Sequence, residues 1–170
     1  IQVRDALKRV WQCATIQLDF VLPERFKLTY VEEDGKPTAP VMVHRAILGS
    51  MERFIGMLIE HYGGAFPTWL APTQLTIVPI AEAHRDYANE LLKQATDRGI
   101  RAEVDQRNER MQAKIRDAQV NKVPYVFVVG NKEQEAQTVA LRTRAGGNVG
   151  VQPADKALDE ITQAITQRRD

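Results

Sequence analysis

The chain has 170 residues, enough for one sizeable domain or two small ones, and 44% of them are hydrophobic, which can supply a core. Its 23 basic residues nearly cancel its 22 acidic ones, so the formal charge of +1 gives no overall argument for nucleic-acid binding. A single cysteine excludes an internal disulfide, and no apolar run reaches the roughly 18 residues of a membrane span. We therefore expect a soluble protein of a reducing compartment, the cytoplasm.

The first fifty residues predict short strands. Apolar and polar residues alternate over 1–10 and again over 11–20, which favours two antiparallel strands joined by a hairpin near Lys8 and Arg9. The chain starts directly in this pattern, without an initiator Met, a signal peptide or a transit segment, as expected for a piece of a longer protein. The next stretches are a break in the pattern at 22–26, a candidate strand at 28–31, a turn at 33–37 and a short strand at 41–45.

An amphipathic helix is predicted after Gly49 and Ser50. Ser50 suits the N-cap position, and Gly63 with Gly64 ends the helix. The helical spacing of apolar and aromatic residues is carried by Phe54, Met57, Leu58, His61 and Tyr62.

Prolines around Trp69, at positions 67 and 72, mark a domain boundary, because proline fixes the chain direction and disfavours helix before it. We assign residues 1–66 to a first domain and 67–170 to a second. Strands and helices alternate in the second domain, which predicts a three-layer α/β fold with a mixed, mostly parallel sheet. Gly146, Gly147 and Gly150 are interpreted as a flexible turn. The predicted elements are strands at 75–80, 100–104, 125–129 and 139–143 and helices at 84–98, 108–119 and 154–168.

Two residues of the segment from Val43 to Phe54 could carry chemistry. His44 ends a strand just ahead of a helix, yet a lone histidine is more often a hydrogen-bonded structural residue than a metal ligand. A zinc site also needs three protein ligands, and Cys13 is the only thiolate candidate. Arg53, in the first turn of the helix, could offer its guanidinium to phosphates near the positive helix end. A solvated helix arginine is the plain alternative.

Gln12, Thr15 and Gln17 are polar residues of the strand pattern around Trp11. They indicate either a half-exposed sheet face or the floor of a cleft that fixes a nucleotide or a small polar substrate. Cys13 is not expected to be a nucleophile, because no neighbouring base is apparent that would lower its pKa.

In the second domain, residues 105–110 follow a strand and begin a helix, so their side chains are expected at the carboxyl edge of the sheet, where open α/β folds bind ligands. Lys132, Glu133, Arg142 and Arg144 flank later strands and could converge there. Amide, carboxylate and guanidinium groups together suit hydrogen bonds to single-stranded bases, with basic residues on phosphates. An ordinary charged loop surface explains the same residues equally well.

Three segments, taken in order, closely resemble threonyl-tRNA synthetases over the whole chain: residues 11–20 (WQCATIQLDF), the segment that opens with His44, and residues 66–72 (FPTWLAP). The resemblance implies that residues 1–66 are the last part of a class II catalytic domain built on an antiparallel sheet. Residues 67–170 would then be the α/β anticodon-binding domain. The implied activity is ATP-dependent activation of threonine, with Mg²⁺, and transfer of threonine to tRNA by a homodimer.

The resemblance also implies roles for individual residues. Arg53 matches the arginine of the third class II motif, which holds the ATP phosphates, and His44 matches one of three zinc ligands. In the family that zinc binds the amino and hydroxyl groups of threonine, which explains the rejection of valine. Residues that match the family's ATP and threonine pocket are Gln12, Thr15, Gln17 and Ser50. Residues that match the positions reading the anticodon bases are Asn108, Arg110, Glu133 and Arg142. Arg110 stands where lysine can also occur, which changes the donor geometry.

Two rival functions fit the residues less well. A stand-alone tRNA-binding or regulatory module would have no need of the segment from His44 to Arg53. A nucleotide-binding α/β enzyme would be expected to carry a glycine-rich phosphate loop, and the sequence has neither the GxGxxG nor the GxxxxGK[ST] pattern.

The sequence lacks the first two class II motifs and the cysteine and second histidine of the family's zinc site. We therefore expect this chain alone neither to activate threonine nor to hold zinc tightly, while its second domain still folds. An assay of ATP–pyrophosphate exchange on the isolated chain checks the first expectation. Exchange at the rate of the full-length enzyme would contradict it.

Overall fold

Two units, Ile1–Gly63 and the residues from Gly64 onward, make up the chain. The computed structural model describes residues 1–169. No helix among these residues is both long and apolar enough to cross a membrane.

The first unit opens with the predicted hairpin. Its strands β1 (Gln2–Arg4) and β2 (Val10–Gln12) pair antiparallel, with Val3 opposite Trp11. The strands are shorter than the alternation indicates, because hydrogen bonds at Asp5 close the loop between them. Its carboxylate accepts from the N–H of Arg9, its carbonyl oxygen accepts from the N–H of Lys8, and its own N–H donates to the carbonyl oxygen of Arg9. Residues after Cys13 leave this hairpin and pair elsewhere.

A second antiparallel ribbon follows. Strand β3 (Thr15–Asp19) pairs with β6 (Met42–Ala46), and a small hairpin of β4 (Tyr30–Val31) and β5 (Pro37–Thr38) lies between them in the chain. The break predicted at 22–26 is instead the short helix α1 (Val21–Arg25). It forms because the Asp19 carboxylate accepts hydrogen bonds from the N–H groups of Val21 and Leu22.

Helix α2 (Met51–Tyr62) confirms the predicted amphipathic helix. The Ser50 hydroxyl accepts from the N–H of Arg53 at 3.4 Å and donates to the Glu52 carboxylate at 2.6 Å. Gly63 ends the helix in the left-handed region at φ 55°. Both ends of the helix therefore lie where local sequence chemistry sets them.

The second unit is built on a five-stranded mixed sheet of order β11-β10-β9-β7-β8. Strand β7 pairs in parallel with β8 and β9, and β10 pairs antiparallel with β9 and β11. The strands are β7 (Leu75–Pro79), β8 (Ala102–Val104), β9 (Tyr125–Val129), β10 (Thr138–Thr143) and β11 (Gly147–Pro153).

The turn predicted at Gly146, Gly147 and Gly150 is present only at Gly146, between β10 and β11, since Gly147 and Gly150 belong to strand β11. Gly150 has φ +114°, and the pairing register shifts beside it, between Leu141 and Arg142 of β10. The residue without a partner is Val149, so a β-bulge accommodates it while Gly150 pairs with Leu141 and pairing continues on both sides. The added strand gives the sheet its second antiparallel pair.

Helices cover both faces of this sheet. A single 3-10 turn, Glu82–His84, leads into α3. Helix α5 was not predicted; it forms after Gly130, whose N–H donates to the Glu133 carboxylate three residues on. The helices are α3 (Arg85–Asp97), α4 (Met111–Val120), α5 (Asn131–Ala136) and α6 (Ala154–Thr166).

The side chains of β9 alternate between two cores. Phe127 and Val129 are buried with residues of α3 and α6, and Val126 and Val128 are buried with residues of α4. The three-layer arrangement predicted from the sequence is therefore confirmed. Because β9 is buried on both faces, residues 125–129 form one continuous apolar run in the sequence.

Two valines on neighbouring strands give a matched test of burial. Val139 on β10 is fully buried and Val151 on the neighbouring β11 is 62% exposed. We expect Val139→Ala to lower the free energy of unfolding by about 2 kcal/mol, because two buried methyl groups are lost and a cavity remains. Val151→Ala should stay within about 0.5 kcal/mol. Urea denaturation checks both values, and equal losses would contradict the assigned faces.

Candidate functional site

One face of the β3–β6 ribbon gathers polar side chains of the first unit. Thr15, Gln17 and Asp19 alternate along β3, and Gln17 lies directly opposite His44 on β6. The Nε2 atom of His44 lies 2.9 Å from Oδ2 of Asp19. An open depression of about 610 Å³ is lined in part by Gln17, Asp19 and His44. The structure thus brings His44 and Gln17 together, as a shared cleft floor requires.

Asp19 joins this group although its residue type alone did not indicate a functional role. Hydrogen bonds from the N–H of Leu22 and from His44 hold the pKa of its carboxyl below the ordinary value, so it is charged at neutral pH. Its position two residues after Gln17, on the same strand face, was the available signal. Within residues 1–169, no three His, Cys, Asp or Glu side chains come together as a group that could hold a metal ion.

The start of α2 packs tightly against the end of β2. Gly49 has φ +68°, and a β-carbon built there would lie 3.3 Å from the carbonyl oxygen of Cys13 and 3.6 Å from that of Gln12. Only glycine combines that backbone conformation with so close an approach. The turn ahead of α2 therefore lies against the backbone carbonyls of Gln12 and Cys13, and the side chain of Cys13 is buried.

Arg53 lies over an aromatic platform. Its guanidinium carbon is 5.8 Å from the centre of the Trp11 ring, and that of Arg9 is 5.4 Å from the same ring. The Trp11 indole N–H donates to Asp5 at 2.8 Å. Burial raises the pKa of Asp5, but hydrogen bonds from Trp11 and Arg9 outweigh it and lower the pKa to about 2. Arg53 could be recognised as a candidate from the sequence, but the ring beneath it could not.

In the second unit, residues 105–110 follow β8 at the carboxyl edge of the parallel strands, as expected. Asn108 lines a polar cavity of about 210 Å³, whose other lining residues include Glu82, Arg85 and Lys114. Lys114 is 5% exposed and donates to the carbonyl oxygen of Asp105 at 3.0 Å. Arg110 is the exposed N-cap residue of α4.

The loops after β7 and β9 meet at the same edge. The buried ring of His84 accepts a hydrogen bond at Nδ1 from the N–H of Ala81, and its Nε2 lies 2.7 Å from Oδ1 of Asn131. Asn131 begins helix α5, which carries Glu133. His84, which the sequence analysis did not single out, therefore links two loops of the candidate site.

Arg142 and Arg144, near the end of β10, differ in their hydrogen bonding. Arg142 lies within β10, and its Nε atom is the one buried side-chain nitrogen or oxygen without a hydrogen-bond partner among residues 1–169. Neither arginine converges on the carboxyl edge, contrary to expectation, because β10 runs antiparallel to β9 and Arg142 pairs with Val126 near the amino end of that strand. Arg144 follows the end of β10. Its guanidinium donates to the carbonyl oxygens of Phe66 and Lys122, and its N–H donates to that of Pro124, just before β9 begins.

The sequence matches models of two protein families. The anticodon binding domain matches residues 74–164, more than half of the chain. The tRNA synthetase class II core domain (G, H, P, S and T) matches residues 1–62. The chain belongs to the class of proteins that these families define, the class II aminoacyl-tRNA synthetases that carry this anticodon binding domain.

Within that class the chain is a member of the threonyl-tRNA synthetase family. It is 55% identical over 164 residues to the threonine–tRNA ligase of Natranaerobius thermophilus, a match that covers 96% of this chain and 26% of the relative. It is 51% identical over 168 residues to the enzyme of Aquifex aeolicus, covering 99% of this chain and 26% of the relative. It is 53% identical over 167 residues to the enzyme of Thermus thermophilus, covering 98% of this chain and 25% of the relative. The chain spans about a quarter of the length of these curated relatives.

Solved structures agree on the fold. The RNA binding domain of threonyl-tRNA synthetase from Cryptosporidium parvum matches with a TM-score of 0.81 and 36% identity, covering 96% of this chain and 42% of that one. A prolyl-tRNA synthetase from the same organism matches with a TM-score of 0.63 and 24% identity, over 94% and 36% of the two chains. The second similarity concerns the fold alone.

The Asp5 carboxylate predicts a pH dependence of the first unit. A pKa of about 2, against an ordinary value of 3.8, means that the folded state favours the charged form. The resulting stabilisation is complete above about pH 4 and is lost as the pH falls through about 2. Asp5→Asn should therefore flatten the fall in stability over that range. Trp11 fluorescence in a Trp69→Phe background, which leaves one tryptophan, measures it, and parallel pH curves would contradict it.

Proposed function

We propose that the chain is the C-terminal part of a threonyl-tRNA synthetase, an enzyme that uses ATP to activate threonine and transfers it to tRNA. Residues 1–66 supply part of the catalytic domain, and residues 67–170 form the anticodon-recognition domain. The observation that carries the proposal is the unbroken similarity to threonine–tRNA ligases across both family matches. The full-length enzyme acts in the cytoplasm as a homodimer.

Arg53 is the residue that binds the ATP phosphates. Among residues 1–169 its guanidinium has no carboxylate partner, so its five N–H donors are available to phosphate oxygens. It stands in the first turn of α2, where the helix dipole adds positive potential. A fixed cation there neutralises charge as pyrophosphate leaves, with Mg²⁺ as the counter-ion of ATP. Gln12, whose backbone carbonyl lies against the Gly49 turn, and Ser50 line the same wall.

Thr15, Gln17 and His44 form the threonine side of this pocket. His44 fits one ligand position of a zinc site: its Nε2 is engaged by Asp19, which orients the ring and leaves Nδ1 for a metal. The remaining ligands come from other parts of the full-length enzyme. Zinc, when bound, supplies a Lewis acid that recognises the amino and hydroxyl groups of threonine. The amide of Gln17, opposite His44, offers a donor and an acceptor to the same substrate.

Asn108, Arg110, Glu133 and Arg142 read the anticodon bases. They carry the amide, carboxylate and guanidinium groups that pair with base edges. The buried, unpartnered Nε of Arg142 supports this role, because a buried donor without an acceptor is costly unless a ligand provides one. Glu133 is held at the start of α5 by its hydrogen bond with the N–H of Gly130.

Separate assays test the two halves of the proposal in the full-length protein. Threonine, and not valine, should support ATP–pyrophosphate exchange. Arg142→Gln should raise the KM for tRNA in aminoacylation by about 10- to 100-fold, as expected for the loss of a base-specific contact, and leave exchange unchanged.

Lys156→Gln is the matched control for Arg142→Gln. Lys156 is exposed on α6, the helix on the opposite face of the sheet, and its loss changes the charge by the same amount. An equal rise in the KM for tRNA in both variants would mean that Arg142 acts only through its charge. Binding of tRNA without threonine-dependent exchange would leave only a tRNA-binding module.

A further inference from the structure

Two arginines share the ring of Trp11, and they differ in how their donors are used. Arg9 donates through Nε to Asp5 at 2.6 Å and forms a second ion pair with Glu60. The guanidinium of Arg53 makes no hydrogen bond or ion pair with any of residues 1–169, and its contact is with the ring alone. One arginine therefore has two carboxylate partners, and the guanidinium of the other has none.

The ring itself is held from three sides. Strand pairing places Trp11 opposite Val3, and the indole N–H is bonded to Asp5, whose side chain is only 4% exposed. The same carboxylate bonds Arg9, which lies over the ring. Because the ring is fixed at its edge and packed on its face, its position under Arg53 is set before any ligand binds.

The ion pair of Arg9 with Glu60 fixes this hairpin to helix α2. Glu60 and Arg53 are seven residues apart, two helical turns, and so lie on the same side of the helix. The hairpin consequently meets α2 at two points, one through an ion pair and one through the ring. Loss of the ring would remove its contacts with Arg9, Asp5 and Arg53 and leave the ion pair of Arg9 with Glu60 as the remaining link to α2.

We propose that Trp11, fixed by Asp5, is a positioning residue that holds Arg53 for the polyphosphate of a nucleoside triphosphate. A carboxylate would also hold the guanidinium, but it would occupy the fork of N–H donors and offset the charge that phosphates require. An aromatic face attracts the cation and leaves its donors in the plane free. The proposal rests on the proposed function, in which Arg53 binds ATP.

Variants of Trp11 in the full-length enzyme test this role. Trp11→Leu should raise the KM for ATP in pyrophosphate exchange by about 3- to 30-fold, the range expected from the loss of one cation–π contact, with an unchanged KM for threonine. Trp11→Phe keeps an aromatic face and should recover most of the loss. Equilibrium dialysis of ATP measures the binding step directly, and a thermal melt reports the fold.

Trp69 provides the matched control. The guanidinium carbon of Arg168 lies 5.3 Å from the centre of the Trp69 ring, the same kind of contact in the second unit. Trp69→Leu should leave the KM for ATP unchanged. A rise equal to that of Trp11→Leu would show a general effect of losing a tryptophan, and it would overturn the proposal.

A double variant separates positioning from a structural role. If Trp11 acts through Arg53, Trp11→Leu should weaken ATP binding no further in an Arg53→Gln background. A second loss of the same size there would overturn the proposal, as would normal ATP binding by Trp11→Leu. If threonine-dependent exchange is absent from the unmodified enzyme, the proposed function fails, while dialysis still shows whether Trp11 supports ATP binding.

Discussion

Burial of strands β7 and β9 on both faces is the constraint on which the second unit depends. Neither strand can leave the sheet without exposing one of the two cores, so helices must cover both sides. The carboxyl ends of β7 and β9 lie side by side at one edge of the sheet, and the segments that follow them are exposed to solvent there. Asn108 and Glu133 of the candidate RNA-binding surface lie on the loop after β8 and on the short helix after β9, whereas Arg142 lies within β10. The first unit has few buried side chains by comparison, and contacts among Asp5, Arg9, Trp11 and Glu60 tie its hairpin to α2.

The sequence predicted elements best where a local signal and a tertiary role coincide. Helix α2 has a capping serine, an apolar stripe and a terminal glycine, and all three act as expected. Strand β9 was found to the residue, because burial on two faces leaves a run of five apolar side chains. Strand β11 was missed since its glycines resemble a turn, and only pairing with β10 shows that the strand continues past them through a bulge at Val149. Helix α1 depends on the side chain of Asp19, a contact that periodicity does not contain.

The same distinction holds for the candidate site. Residues whose chemistry is evident from type, such as Arg53 and His44, could be chosen from the sequence. Their supports could not: Trp11 and Asp5 are six residues apart across a loop, and Asp19 reaches His44 across two strands. Arg144 shows the opposite error, because a basic residue beside a strand was expected at a binding surface and instead bonds backbone carbonyls. Proximity in the fold, rather than residue type, decides such cases.

His84 shows how one proton can orient an entire loop. Since its Nδ1 accepts the N–H of Ala81, the neutral ring must carry its hydrogen on Nε2 and donate it to Asn131. That requirement fixes which end of the Asn131 amide faces the ring: the oxygen turns inward and the NH₂ group turns away. The first residue of α5 thereby presents two oriented N–H bonds at the sheet edge, two residues ahead of the Glu133 acceptor. A single imidazole tautomer thus sets the direction of donors that belong to another loop.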